Sequence, residues 1–134
     1  MIRPARAADT DAIVSLWIAA GLKVEPSLAA RELSRMVAAG TDLVLVAERE
    51  DAIVGAVLGS WDGRRGWVQR LATQPHWQGR GIATALIAEL EARLRARGCA
   101  KLNLLIEPDN AGVTGFYERI GFRPDELIFM EKWL

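Results

Sequence analysis

The stretch with the clearest chemical potential is Gln78-Gly79-Arg80-Gly81-Ile82-Ala83-Thr84, between a predicted strand and a predicted amphipathic helix. Its two glycines let the backbone approach a ligand closely. The first turn of a helix carries unpaired N–H groups and the positive end of the helix dipole. Together with the guanidinium of Arg80, these donors predict an anion site suited to a pyrophosphate.

Three phosphate-binding motifs compete for this stretch. A Walker A loop is excluded because no Gly-Lys-Ser/Thr follows the glycines. The dinucleotide fingerprint G-x-G-x-x-G/A fails at Thr84, and the acidic residue expected about 20 residues later is absent from residues 97–101. Gln78, Gly81 and Ala83 satisfy a third pattern, the (Gln/Arg)-x-x-Gly-x-(Gly/Ala) signature of the GNAT acetyltransferases.

Two further segments carry the same resemblance, in the right order and at workable spacing. Leu71-Ala72-Thr73-Gln74-Pro75 is similar to the family's Leu-Ala-Val-x-Pro, and residues 110–122 resemble its Asn…Phe-Tyr-Glu-x-x-Gly-Phe segment. Within the superfamily the chain most resembles the small bacterial YpeA-like group, through segments such as 61–66 and 96–99. Since one fold serves many acceptors, the resemblance indicates fold and cofactor better than substrate.

The resemblance implies direct transfer of an acetyl group from acetyl-coenzyme A to the primary amine of a small molecule or peptide. The strand ending at Thr73 is expected to pair with the pantetheine arm of the cofactor, and residues 79–84 to hold its pyrophosphate. Tyr117 matches the family tyrosine that protonates the leaving thiolate. The implied cofactor-binding residues are Leu71, Ala72, Thr73, Gln78, Gly79, Arg80, Gly81, Ile82, Ala83, Thr84, Asn110 and Tyr117.

Two of these residues have structural interpretations as well. Tyr117 could be a core aromatic residue beside Phe116 and Phe122. Asn110 could cap a helix over residues 110–120 instead of contacting the pantetheine arm, or do both.

The general base has no obvious candidate on the strands, where some relatives place a glutamate. Residues 69 and 70 are Gln and Arg, and the middle of the next strand is Leu104-Leu105. The nearest carboxylates are Glu107, which we take as the catalytic candidate, Asp109 and Asp62. A lysine amine costs roughly 4.6 kcal/mol to deprotonate at pH 7 and an α-amino group about 1 kcal/mol, so a missing base favours an acceptor of low pKa or a water relay.

The helices and strands that must position these residues are predicted from the periodicity of apolar residues and from the glycines, prolines and polar residues that mark turns and helix ends. Strands are expected over residues 2–6, 43–47, 53–61, 67–73, 101–106 and 126–133. Helices are expected from about residue 10, from Pro26, over 80–97 and over 110–120. This order predicts an α/β fold of one domain, 1–134, with a mixed, mostly antiparallel sheet of six to seven strands and about four helices on both faces.

The composition of the chain limits the kinds of partner and cofactor that we expect it to bind. The chain has 17 basic and 17 acidic residues, so its charge argues against non-specific nucleic-acid binding. One cysteine and one histidine exclude an internal disulfide and a His/Cys zinc site, and no metal is expected. No apolar run approaches the roughly 18 residues of a membrane span, so no membrane contact and a cytoplasmic location are expected. A homodimer is compatible with the sequence. The alternative to an enzyme is a protein that binds acetyl-coenzyme A as a sensor or interaction module without turnover.

Overall fold

The computed structural model describes residues 1–134 and contains one five-stranded sheet. The strands are β1 (Ile2–Pro4), β2 (Val44–Arg49), β3 (Ala52–Trp61), β4 (Gly66–Thr73) and β5 (Leu102–Leu104). The helices are α1 (Thr10–Ala19), α2 (Pro26–Ala38), α3 (Ile82–Ala96) and α4 (Thr114–Arg119). Short 3₁₀ turns cover Ala7–Asp9, Pro75–Trp77 and Pro108–Val113.

The sheet order is β1-β2-β3-β4-β5, with antiparallel pairs except the last. β4 and β5 are parallel because α3 lies between them in the chain and returns it to the end of the sheet where β4 begins. The prediction of a mixed, mostly antiparallel sheet is therefore confirmed.

Helices cover both faces of the sheet, as the sequence predicts. On one face α1 and α2 pack through residues such as Trp17 and Leu33 against Val44 and Val46 of β2. On the other face α3 packs against the alternate side chains of the same strands, and its residues Leu86 and Leu90 are fully buried. Strands covered on both faces read as continuous apolar runs, which is why residues 43–47 lack alternation.

The predicted number of six to seven strands is wrong, because the structure has five. Residues 126–133, the expected last strand, form no regular element, and no backbone–backbone hydrogen bond involves residues 123–134. A strand needs a partner edge as well as strand-forming residues, and this segment lies against none. Its side chains are almost fully exposed, with Ile128 at 90% and Trp133 at 88%.

The predicted helix over 110–120 is also corrected. The chain makes a 3₁₀ turn over Pro108–Val113 and becomes α-helical only at Thr114. Asn110 has φ −112° and ψ 19°, outside the helical region, and Val113 is the residue that precedes the first helical one. Asn110 therefore does not cap this helix.

No helix of the chain combines the length and apolarity that crossing a bilayer requires.

Candidate active site

The site begins where β4 and β5 separate. The two strands pair only over Gly66–Val68 and Leu102–Leu104. Beyond Val68, β4 continues for five residues with β3 on one side and no strand on the other. Leu71, Ala72 and Thr73 therefore have a free strand edge toward the gap, which is the kind of edge that an extended ligand can join by main-chain hydrogen bonds.

A β-bulge lies at the start of this free edge. Ala56 and Leu58 of β3 face Ala72 and Gln69, so two residues of β4, Arg70 and Leu71, stand against one residue of β3. Arg70 has φ 49°, a left-handed conformation that non-glycine residues rarely adopt. Bulges beside active sites redirect side chains, and strain held at one position is a feature of functional sites.

Trp17 supports this bulge from α1. Its ring is fully buried, and its indole Nε1 donates a hydrogen bond of 3.1 Å to the carbonyl oxygen of Arg70. The Arg70 guanidinium lies 5.0 Å from the centre of the same ring, in a cation–π contact. The tryptophan thus fixes both the backbone and the side chain of Arg70.

The predicted phosphate loop forms at the end of β4, before α3. Gly79 and Gly81 have φ of 77° and 80°, and a Cβ built at either position meets no atom within 4 Å, so the glycines leave open space beside the backbone. No backbone N–H of residues 79–84 donates to a protein acceptor, and no side chain caps α3. Clustered free N–H groups at a helix start fit the phosphates of a cofactor.

Two side chains anchor this loop. The Gln78 amide donates a hydrogen bond of 3.3 Å to the Thr73 carbonyl oxygen, which fastens the loop to the end of β4. The guanidinium of Arg80 lies 4.7 Å from the centre of the Trp77 ring. Arg80 has no carboxylate partner, so its charge is free for an anion beside the loop.

Tyr117 lies on α4, across the gap from β4. Its ring makes edge-to-face contacts with Phe116 and Phe122, at centroid distances of 5.2 and 5.5 Å. Burial raises the pKa of its hydroxyl above the ordinary value of 10.0. The two interpretations of this residue are compatible, because Tyr117 belongs to an aromatic cluster and also lines the cleft.

A cleft of about 680 Å³ runs between the α1–α2 connection, β4 and the segment after β5. It brings together Leu71, Glu107, Asn110 and Tyr117 among the predicted residues. Ala72, Thr73 and residues 78–84 do not line it. They form the separate loop region at the end of β4, so the predicted residues divide into a cleft group and a loop group.

The three candidate carboxylates differ in their surroundings. Asp62 lies outside the cleft and accepts hydrogen bonds from the backbone N–H groups of Arg64 and Arg65, which hold its pKa low. Asp109 lines the cleft but is paired with Lys23, which lowers its pKa. Glu107 lines the cleft and forms no salt bridge, although the Lys23 ammonium is near enough to interact with its charge.

Sequence reasoning missed three charged residues of the cleft: Arg70 on β4, Glu32 on α2 and Lys23 between α1 and α2. The signal for the first was present, since Gln69-Arg70 interrupts the alternation of β4, as a bulge does. Glu32 had no such signal, because it reads as an ordinary exposed residue of an amphipathic helix.

Comparison with known proteins decides the family. Residues 10–122 match the Acetyltransferase (GNAT) family. An acetyltransferase of Pectobacterium atrosepticum is 39% identical over 133 residues, covering 99% of this chain and 94% of the relative. The chain belongs to the GNAT acetyltransferase family. The predicted enzyme class and the resemblance to small bacterial GNAT proteins are thereby confirmed.

Solved structures share this GNAT fold. A predicted acetyltransferase of Clostridium acetobutylicum, solved with acetyl-CoA, has a TM-score of 0.74 at 21% identity, covering 98% of this chain and 95% of that one. The PaiA N-acetyltransferase of Thermoplasma acidophilum, in complex with coenzyme A, has a TM-score of 0.81 at 18% identity, covering 96% of this chain and 92% of that one. At these identities the likeness concerns the fold.

Proposed function

We propose that this protein moves an acetyl group from acetyl-CoA to a primary amine of a small molecule or peptide by direct attack, with Tyr117 as general acid. The observation that carries the proposal is the cleft at the β4–β5 separation, which Leu71 of the free edge and Tyr117 both line. A thioester carbonyl held by that edge lies in the same cleft as a phenol that can protonate the departing sulfur.

The loop group supports acetyl-CoA as the acetyl donor. The pantetheine arm would pair with the free edge at Leu71, Ala72 and Thr73. The pyrophosphate would accept hydrogen bonds from the N–H groups of residues 79–84, with Arg80 adding charge. Asn110 lines the cleft without capping a helix, which leaves its amide free for the arm.

In the reaction the amine nitrogen attacks the thioester carbonyl carbon, and an N–C bond forms. A backbone N–H of the free β4 edge stabilises the oxyanion. The C–S bond then breaks, and the thiolate takes the hydroxyl proton of Tyr117. From the reference pKa values of about 10 and 8.5, this transfer is uphill by roughly 2 kcal/mol in water.

Burial acts on both partners of that proton transfer. The raised pKa of Tyr117 keeps its proton in place at neutral pH but makes the phenol a weaker acid. Desolvation in the same cleft destabilises the thiolate too, which raises its proton affinity. The rise for the thiol therefore offsets the rise for Tyr117, and the reference mismatch of roughly 2 kcal/mol still has to be supplied by the site.

For the proton of the attacking amine we propose Glu107, directly or through water. Glu107 lines the cleft and forms no salt bridge, whereas Asp109 is paired with Lys23 and Asp62 lies outside the cleft. An α-amino group, which costs only about 1 kcal/mol to deprotonate at pH 7, remains the favoured acceptor type. A cytoplasmic location and a single functional domain over 1–134 stay predictions.

We also propose that the protein is a homodimer, associated through its exposed C-terminal segment. Leu127, Ile128, Phe129, Met130 and Trp133 are between 63% and 90% exposed. These side chains offer roughly 700–800 Å² of apolar surface, close to the ~800 Å² that each partner gives to a stable interface. The formal net charge is zero, so two copies do not repel each other.

Analytical ultracentrifugation of the full chain tests the dimer. A concentration-dependent dimer is expected, and Phe129→Glu combined with Trp133→Glu should give a folded monomer whose melting temperature no longer depends on protein concentration. A wild-type chain that stays monomeric at about 100 µM contradicts this part of the proposal.

The experiment for the proposed function follows thiol release from acetyl-CoA across classes of amine, with wild type and Tyr117→Phe. The substitution keeps the ring and its contacts with Phe116 and Phe122. Affinity for acetyl-CoA should change by no more than one neutral hydrogen bond, about 0.5–1.5 kcal/mol. The turnover number should fall about 10²–10⁴-fold, because general acid catalysis acts in the transition state.

Equal small losses of affinity and turnover would assign Tyr117 to cofactor binding only. Tight binding of acetyl-CoA without turnover of any amine would replace the enzyme by a sensor.

A further inference from the structure

We propose that Arg70 binds a carboxylate of the acceptor, so that the preferred substrate carries both an amine and a carboxylate, as an amino acid or a short peptide does. This inference rests on the proposed function, since it names the substrate class of the same cleft. It starts from the charges that line the cleft and from their partners.

Five charged residues line the cleft: Lys23, Glu32, Arg70, Glu107 and Asp109. Lys23 and Asp109 pair with each other, and no ion pair involves the other three. A bound acceptor therefore faces one unpaired cation on β4 and two unpaired carboxylates on other elements. A ligand with an ammonium or amine and one anionic group complements this arrangement.

The fold holds Arg70 in place at a cost. A non-glycine residue at φ 49° carries backbone strain. Glycine would adopt this conformation without strain, yet the position has an arginine, whose carbonyl and guanidinium both contact Trp17. The bulge and the tryptophan together fix the guanidinium of this half-buried residue, which forms no salt bridge.

A carboxylate fits this guanidinium better than a phosphate does. Arginine presents a planar fork that binds either group through two N–H donors. A phosphate monoester carries nearly two negative charges and would lie in the same cleft as Glu32 and Glu107. A carboxylate carries one charge and meets less repulsion.

The test uses acceptor pairs that differ only in the anionic group: amino acids and dipeptides with a free carboxylate, and the same compounds as carboxamides. Wild type, Arg70→Gln and Arg70→Gly are compared, with Arg64→Gln as a control at an exposed turn outside the cleft. Arg70→Gly removes the guanidinium and relieves the φ strain, so it keeps the test valid if the glutamine variant unfolds. Comparing variants on each pair cancels the difference in amine pKa between acid and amide.

Both Arg70 variants should lose about 10- to 100-fold in kcat/KM on the carboxylate, the range for a hydrogen-bonded charged pair, and less than about threefold on the carboxamide. Arg64→Gln should change neither. Equal losses on both acceptors, or a wild type that prefers phosphate-bearing amines to the matching carboxylates, would overturn the proposal.

A binding measurement separates this inference from the proposed function. Calorimetry with coenzyme A present measures the affinity of each acceptor without turnover. Tighter binding of the carboxylate, lost in Arg70→Gln, supports Arg70 even if no acetyl transfer is seen, and the failure then lies with the proposed reaction. Turnover with no carboxylate preference in rate or binding rejects the role of Arg70 and leaves the proposed reaction intact.

Discussion

Replacing Gly81 by aspartate and by asparagine measures whether an anion binds at the start of α3. Gly81 has φ 80°, and a Cβ at this position meets no atom within 4 Å. Aspartate and asparagine tolerate this conformation better than other non-glycine residues, and the strain, about 1–2 kcal/mol, is similar for the two. Both variants should therefore fold, and the difference between them isolates one negative charge.

That charge would lie among the N–H groups of residues 79–84, which have no protein acceptor. Two unit charges 4 Å apart repel by about 1 kcal/mol in water and about 4 kcal/mol at an effective dielectric constant of 20. Because the loop is exposed, we expect about 1–3 kcal/mol. Gly81→Asp should then bind acetyl-CoA about 5- to 150-fold more weakly than Gly81→Asn.

Isothermal titration calorimetry of acetyl-CoA at two salt concentrations provides the assay. The aspartate-to-asparagine ratio should shrink as salt rises, since the screening length falls from about 10 Å at 0.1 M to about 3 Å at 1 M. Equal affinity of the two folded variants, at low salt, would refute the assignment of the pyrophosphate to this loop.

Two further predictions concern Glu107 and Asp9. If the Glu107 carboxylate takes the amine proton directly, Glu107→Gln should lower kcat at neutral pH by about 10²-fold or more. If water relays the proton elsewhere, the loss should be less than about threefold. The pH–rate profile of the variant distinguishes the two, and its melting temperature is the control for folding. Asp9, which Arg3 and the backbone N–H of Arg6 hold at 2.7 Å, has a pKa lowered below 3.8 chiefly by the Arg3 hydrogen bond. The Asp9 carboxylate stabilises the fold above pH 4, and the stabilisation is lost as pH falls through the lowered pKa. In urea unfolding at pH 7, the wild type should therefore exceed Asp9→Asn by about 1–3 kcal/mol in free energy of unfolding. This difference should shrink toward pH 3. A difference independent of pH would contradict the second prediction.

The local features of the site were predictable from sequence, and its long-range features were not. Gly79, Gly81 and the apolar face of the following helix mark a strand–loop–helix unit whose geometry is set within a few residues. The structure has that unit, although the helix begins at Ile82 and not at 80, because both glycines take positive φ. Which residues share the cleft depends on packing between distant segments, as for Glu32.

Residues 126–133 illustrate the limit of propensity. Leu127 to Met130 form an apolar run that reads as a strand, yet a strand exists only where another strand offers hydrogen bonds. β5 has only three residues, and the segment does not pair with it. Sequence patterns indicate what a segment prefers and carry no information about whether a partner edge is within reach.

The most direct test of the central claim is the effect of acetyl-CoA on the backbone amide signals of the ¹⁵N-labelled protein. The cofactor is proposed to join the free edge of β4 and the N–H groups before and within the first turn of α3. Saturable shifts should therefore be largest at residues 71–73 and 79–84, with little change in the β3–β4 turn at Asp62–Arg65. Absence of saturable shifts, or shifts confined to other parts of the chain, would contradict the claim that acetyl-CoA binds where β4 and β5 separate.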